Sequence, residues 1–282
     1  MITSLLPYDA RMMRSLSYWP RFWHSRLKGL TLHPSCVIAN GIPKSGTYLL
    51  DSLIQATGNW TRSGMHIVNE GVNFRFGRTE WSRKGDTIRY INRLSNGQYA
   101  NAHLEWRSNL ESLFQDRPGL RHILIYRDPR DTIVSMMRWQ SHSQNFARNP
   151  HNKARQIHLQ KHFSSDSERL THFILMLRDF DFSAYAPWLK SDFCYAVRFE
   201  DVYSELADST AGQAISGIFA FLSLPPPNLQ QLREKALHTG LTSSGTEKKI
   251  GTWRELFTKE HLQLLDWPKF RSGVEDLGYP WP

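Results

Sequence analysis

A lysine, two glycines and two hydroxyl residues fall within seven positions, Gly41-Ile-Pro-Lys-Ser-Gly-Thr47. A loop of these residue types suits a phosphate-like anion. Glycine lets the backbone come close, the unpaired N–H groups of a following helix point at the ligand, and Lys44 adds a mobile positive charge. The flanking residues supply the frame. Cys36-Val-Ile-Ala-Asn40 starts as an apolar run and predicts a strand, while Leu49, Leu50, Leu53 and Ile54 recur at helical spacing up to Gly58, a suitable left-handed stop. The spacing departs from the nucleotide triphosphatase loop G-x-x-x-x-G-K-[ST]: Lys44 lies between the glycines and Thr47 takes the usual lysine position, so the magnesium-holding signature is missing. Read alone, the stretch is either an anion loop or a plain turn before a helix.

Two further places carry residues able to do chemistry. His122-Ile-Leu-Ile-Tyr126 is a β-type run, Asp128 can cap a helix, Pro129 suits its first position and Asp131 its first turn. Arg127 then sits at a strand end, with Ser135 two turns into the helix, and together they can hold one phosphate group; the alternative is a structural Arg–Asp pair beside an ordinary surface serine. Gln98-Tyr-Ala-Asn-Ala-His-Leu104 reads as a strand that ends on His103, a residue type able to move a proton near neutral pH. His66, in a glycine-interrupted stretch, is the other candidate base.

These segments resemble the sulfotransferases that use 3′-phosphoadenosine 5′-phosphosulfate (PAPS). Pro43-Lys44-Ser45-Gly46-Thr47 is similar to their 5′-phosphosulfate loop, although Tyr48 and Leu49 replace a usual Thr and Trp. The 3′-phosphate motif, Tyr-Arg-x-Pro-Arg/Lys-Asp-x-x-x-Ser, is matched by Tyr126, Arg127, Pro129, Arg130, Asp131 and Ser135. His103-Leu104 occupies the place of the family's His-Leu, which implies that His103 takes the acceptor's proton. Arg198-Phe199-Glu200-Asp201 is similar to Arg-Tyr-Glu-Asp, with an aromatic face kept at Phe199. Near the C-terminus Gly251, Trp253, Arg254, Phe257 and Thr258 match the family pattern Arg-Lys-Gly-x-x-Gly-Asp-Trp-Lys-x-x-Phe-Thr. Its front half departs: Thr246, Glu247 and Lys248 stand where Arg, Lys and Gly are expected, so Lys248 and Lys249 supply 3′-phosphate charge only after a small shift.

The resemblance covers residues from about 36 to 279. It implies a three-layer α/β, P-loop-like fold with a central parallel sheet flanked by helices, PAPS as co-substrate and no metal. The implied cofactor contacts are Lys44, Ser45, Gly46, Thr47 and Tyr48 from the loop, Arg127, Ser135 and Phe199 from the second junction, and Lys248, Lys249 and Gly251 from the tail. His103 and Lys44 are the implied catalytic pair, moving a sulfuryl group to a hydroxyl or amine. The acceptor stays open between small molecule, glycan, lipid and peptide. Two other classes are weighed beside this one. A nucleotide-dependent small-molecule kinase would show Lys-[Ser/Thr] after Gly46, where Thr47-Tyr48 stands; a non-catalytic nucleotide- or glycan-binding module would lack a base such as His103.

Composition sets the remaining bounds. The 282 residues with 40% apolar content allow one large domain, read as 36–282, behind an N-terminal arm at 1–35. Net charge is +9 and the pI about 9.6, as for a protein whose partner is a polyanionic ligand or an anionic surface; a nucleic-acid partner is not expected. The arm mixes Arg11, Arg14, Arg21, Arg26 and Lys28 with Trp19, Phe22 and Trp23, so it either lies on an anionic membrane as a peripheral contact or packs over the domain. Only Cys36 and Cys194 are present, no apolar run approaches the roughly 20 residues of a membrane span, and a secretory-type apolar core is missing, so a reducing, cytoplasmic location is expected. Residues 59–97 look irregular and are assigned to acceptor binding; 139–170 are polar and look like a mobile lid or acceptor loop, followed by a helix from about 165 to 180. Further helices are expected at 211–222 and about 228–238.

Overall fold

Strand β1 (Cys36–Gly41) is buried along its whole length because it has a neighbour on each side and helices on each face. That is why it reads as a near-continuous apolar run. On one side it runs parallel to β5 (Gln98–His103), with Val37 opposite Tyr99 and Asn40 opposite Ala102; on the other it runs parallel to β6 (Leu120–Tyr126), with Cys36 opposite Leu120 and Gly41 opposite Ile125. Strand β7 (Cys194–Arg198) extends the parallel set beyond β6, and β2 (Thr61–Val68) extends it beyond β5. β3 (Gly71–Phe76) and β4 (Thr79–Lys84) then continue antiparallel from β2, giving the order β4-β3-β2-β5-β1-β6-β7. The computed structural model describes residues 24, 27–28, 32–76, 79–144, 146–148, 150–208, 212–234 and 250–282.

Alternating residues of the strands feed two cores. Val37, Ala39, Tyr99, Ile123 and Ile125 face α1 (Thr47–Thr57), α7 (Phe199–Asp208) and α8 (Gln213–Phe221), whereas Cys36, Ile38, Ala100 and Leu124 face α4 (Pro129–His142), α6 (Asp166–Met176) and α11 (Pro268–Asp276). The result is the three-layer α/β architecture expected. Leu49, Leu50, Leu53 and Ile54 of α1 are all buried, each contributing about 1.5–3 kcal/mol. Because β1 lies between β5 and β6, the chain leaves it in one direction and later returns on the other, and a crevice opens at its C-terminal end. The loop at 42–46 sits in that crevice.

Several expectations are corrected. The stretch at 59–97 is not irregular: it holds β2, β3, β4 and α2 (Thr87–Ile91). The signals are uneven: β3 alternates cleanly, with Val72, Phe74 and Phe76 separated by Asn73 and Arg75, but β4 (Thr79–Lys84) shows no apolar alternation and β2 shifts register between Arg62 and His66, around the left-handed Gly64. The polar segment at 139–170 contains α5 (Pro150–His162), which buries only Leu159 and so has almost no apolar periodicity. The following helix, α6, starts as expected at a Ser165–Glu168 capping box but ends at Met176. α8 spans Gln213–Phe221, and residues 229–234 are helical; the rest of the helix expected there lies outside the described residues, as does most of the N-terminal arm. No helix among the described residues is long and apolar enough to cross a membrane.

Candidate active site

Gly46 is required twice over in the loop. Its φ is +107°, in the region that disfavours a side chain, and a β-carbon there would lie 2.5 Å from Cδ2 of Phe199. At Gly41 a β-carbon would stand 2.8 Å from the Thr47 hydroxyl, so this glycine lets the helix start close behind the strand. Ser45 ties the loop down from inside: its hydroxyl is shared between the carbonyls of Ile42 (2.6 Å) and Ile125 (2.8 Å), and its N–H donates to Ile42 O at 3.0 Å. The first α1 amide with a carbonyl partner is Leu49, which donates to Gly46 O at 2.8 Å. The amides of Gly46, Thr47 and Tyr48 precede it, and no acidic residue occupies the first turn, so the positive end of α1 is left for an external anion.

A cleft of about 230 Å³ opens above this helix end. It brings together Lys44, Gly46, Thr47 and Tyr48 with His103, Arg127, Ser135 and Phe199, residues drawn from four separate parts of the sequence. Ser45 is not among its lining residues, because the hydroxyl points into the protein; it supports the loop and does not reach a ligand by its side chain. Gly251 does not line the cleft either, but its neighbour Thr252 does. Lys248 and Lys249 lie outside the described residues.

His103 ends β5 with its ring against the loop, where Nδ1 hydrogen-bonds to the carbonyl oxygen of Gly41. A carbonyl only accepts, so Nδ1 carries the proton and Nε2 is the basic nitrogen of the neutral ring. Asn40 holds this arrangement. Fully buried, it donates from Nδ2 to Leu104 O at 2.8 Å and accepts from Leu104 N–H at 2.8 Å, while Trp188 Nε1 donates to the same Leu104 carbonyl at 3.1 Å. His66, opposite Asn101 in the sheet register, lines the same cleft with its ring centroid 4.6 Å from that of His103.

Arg127 is almost fully buried and lies over the Phe199 ring, 4.6 Å from its centroid, and 3.5 Å from Asp131 Oδ2. Asp131 also accepts from the main-chain N–H groups of Gly251 (2.7 Å) and Trp253 (3.0 Å), which fixes the C-terminal segment against the start of α4. Arg130 is structural: it makes a two-pronged bond to Asp128 at 2.8 Å each, donates to Pro280 O and stacks over Trp253 at 4.0 Å. Glu200 accepts from Asp128 N–H and from the Tyr279 hydroxyl, and burial raises its pKa above the ordinary carboxylate value.

Several cleft residues were not singled out from sequence. Lys44 Nζ sits 4.8 Å from the Trp139 ring centroid, and Arg138 and Gln140 complete that wall. Arg138 and Trp139 fall three and four positions after Ser135, on the same helix face, so the spacing of the second motif held the signal. Arg62 and Asn101 line the opposite side and share Asp51, which accepts from Asn101 Nδ2 at 3.0 Å and from the Tyr99 hydroxyl at 2.8 Å, with Arg62 Nε at 3.6 Å. Burial first, and then the Asp51 charge, push the Tyr99 phenol far above its usual range. No local motif announces this group.

The chain is similar to several known proteins. Mouse sulfotransferase SULT7A1 complexed with PAP is similar over 88% of this chain and 92% of its own, at 14% identity and a TM-score of 0.46. Retinol dehydratase in complex with androsterone and inactive cofactor PAP is similar over 93% of this chain and 87% of its own, at 16% identity and a TM-score of 0.48. The same enzyme with retinol and PAP gives 93% and 88%, at 15% and 0.47. A comparison with curated proteins found no match. The model of the sulfotransferase domain matches residues 34–211, from the start of β1 through α7, and on that match the chain belongs to the sulfotransferase domain family.

Proposed function

We propose that the protein transfers the sulfuryl group of PAPS to a hydroxyl or amine of an acceptor, by in-line displacement, with His103 as base. The observation that carries this is the tautomer of His103: with Nδ1 donating to Gly41 O, Nε2 is the proton-accepting atom, in the same cleft as Lys44 and the N-terminus of α1. In the step, the acceptor's proton passes to Nε2, a bond forms between the acceptor atom and sulfur, and the bond from sulfur to the 5′-phosphate oxygen breaks. Charge then builds on that phosphate, where Lys44 and the first-turn amides of α1 meet it. Arg127 and Ser135 hold the 3′-phosphate, and Phe199 supports the nucleotide side through its contact with Arg127. The leaving product is adenosine 3′,5′-bisphosphate, PAP.

The acceptor belongs to the small-molecule, glycan or lipid class. With Cys36 and Cys194 both free thiols, a reducing compartment such as the cytoplasm fits the chain. The test is incubation with PAPS labelled in its sulfuryl group and separate pools of phenols, sugars, lipids and peptides. Label is expected in one pool, together with release of PAP; release of labelled inorganic sulfate alone in every pool would sink the transfer reading.

A further inference from the structure

A second imidazole stands beside the base. Beyond the shift in β2, the register sets His66 opposite Asn101 and Val68 opposite His103, so His66 and His103 are diagonal neighbours on one face of two parallel strands. Their rings meet there, with centroids 4.6 Å apart and planes tilted by 60°, and both line the cleft. The His103 ring is held from behind through Nδ1 and Gly41 O, which leaves Nε2 as the nitrogen that gains or loses a proton. Two imidazoles at this separation cannot both be protonated at their ordinary cost, because the charge on one opposes the charge on the other.

The other charges of the site do not relieve that repulsion. Lys44 from the loop, Arg62 from β2, Arg127 from the end of β6 and Arg138 from α4 share the cleft with the pair, and all are cations. The acids of the site are already engaged. Asp131 of α4 lies 3.5 Å from Arg127 and accepts from the Gly251 and Trp253 amides. Asp51 of α1 lies 3.6 Å from Arg62 Nε and accepts from Asn101, from the Tyr99 hydroxyl and from Gln55 Nε2 at 2.9 Å. Tyr48 of α1 brings a phenol to the cleft, and on the far side of β2 His66 pairs with Asn73 of β3, which carries no charge. We infer that His66 is a positioning residue that acts through His103: as the solution is acidified the pair takes up one proton in place of two, so that forms with a bare His103 Nε2 persist and the base keeps working. This rests on the transfer reading, in which His103 is the base. In the step itself the acceptor's proton passes to His103 Nε2, and His66 neither gains nor loses one. If the two rings have equal affinity for a proton, a repulsion worth about one to two pH units lowers the midpoint of His103 by half that amount.

The test uses the full chain with isotope-labelled histidine rings and follows the His103 signal by NMR from about pH 5 to 8, the signal being the one that His103→Asn lacks. His66→Phe and His66→Gln, both uncharged, should raise the His103 midpoint by about 0.5–1 pH unit and turn a drawn-out curve into a single step. His66→Arg, charged throughout, should lower it below that of the wild type. The acid limb of the rate of label transfer from PAPS to the pool that accepts it, normalised to each protein's own alkaline plateau, should move in the same order. An unchanged midpoint in both uncharged variants, or a midpoint in His66→Arg no lower than theirs, would overturn the proposal, since ring packing alone gives no such order. Midpoints in the expected order with an acid limb that does not follow them would overturn it too, by separating the pair from the chemistry. Absence of label transfer by the wild type at every pH, with the two rings still coupled in their titration, would instead overturn the transfer reading.

Discussion

Asn40 and Leu104, 64 positions apart, are joined by two hydrogen bonds of 2.8 Å that use both ends of one side-chain amide. The pair fastens the C-terminal end of β1 to that of β5, and His103 is the residue immediately before the fastening. Asn40→Ala leaves the buried Leu104 N–H without this acceptor, at a cost of about 1–3 kcal/mol in stability. Urea unfolding should register that loss. Sulfuryl transfer should fall further than PAP affinity, since the base is displaced while the loop keeps its Ser45 anchors.

Lys44→Ala and Arg127→Ala should each weaken PAP binding, by about 1.5–3 kcal/mol for a lost charge-assisted contact. Titration calorimetry is the measurement. Wild-type affinity in both variants would remove the basis for placing the nucleotide in this cleft.

Gly46→Ala combines a backbone penalty with a collision, because the new β-carbon meets the Phe199 ring at 2.5 Å. PAP affinity should drop at least about tenfold. A Gly46→Ala/Phe199→Leu double variant should recover only part of it, since the left-handed backbone remains strained; full recovery would show that the ring collision alone was responsible.

His103→Asn should separate chemistry from binding. Asparagine retains a donor for Gly41 O but cannot serve as a base, so transfer should fall by about 10²–10⁴-fold while PAP still binds. Retention of full activity would shift attention to His66, whose ring touches the same space.

His122, in the middle of β6, gives a pH test. It is fully buried between Phe114 and Trp188, neither ring nitrogen has a hydrogen-bond partner, and burial lowers its pKa to about 3 from an ordinary value of 6.5. The unfolded chain therefore binds a proton that the folded one refuses between those values, and stability should decline as pH falls from about 6.5 towards 3. His122→Phe keeps the ring stack and removes the titration. Its advantage over the wild type in thermal unfolding should widen as the solution is acidified; a gap that stays constant with pH would contradict the assignment.

The parts of this protein that were legible in sequence are those where a local rule and a ligand demand coincide. Gly41, Lys44 and Gly46 mark the loop because close approach and positive φ restrict the residue types, and Asp128-Pro129 marks the start of α4 because capping does. His103 was reachable only through resemblance. The helix α5 was not legible, because it buries only Leu159 and so carries no apolar period, and the edge strand β4, Thr79-Glu-Trp-Ser-Arg-Lys84, shows none either; β3 does alternate, with Val72, Phe74 and Phe76 separated by Asn73 and Arg75, but the glycines around it broke the pattern. The group formed by Asp51, Arg62, Tyr99 and Asn101 was invisible for another reason: the strand period places Tyr99 and Asn101 on one face of β5, but Asp51 and Arg62 join them only after the sheet register and α1 are in place.

The contact from Asp131 to the segment at 251–253 runs through main-chain N–H groups, which every amino acid but proline possesses. The anchor makes no use of a side chain at either position, although Gly251 is held to glycine by its φ of +75° and by Arg254, whose Nη1 would lie 2.6 Å from a β-carbon there. A lineage can rewrite the tail just before Gly251, where Thr246, Glu247 and Lys248 stand in this chain, without removing the hydrogen bonds that hold residues 251 and 253 to the start of α4. Divergence there is tolerated in docking even where it alters what the tail can grip.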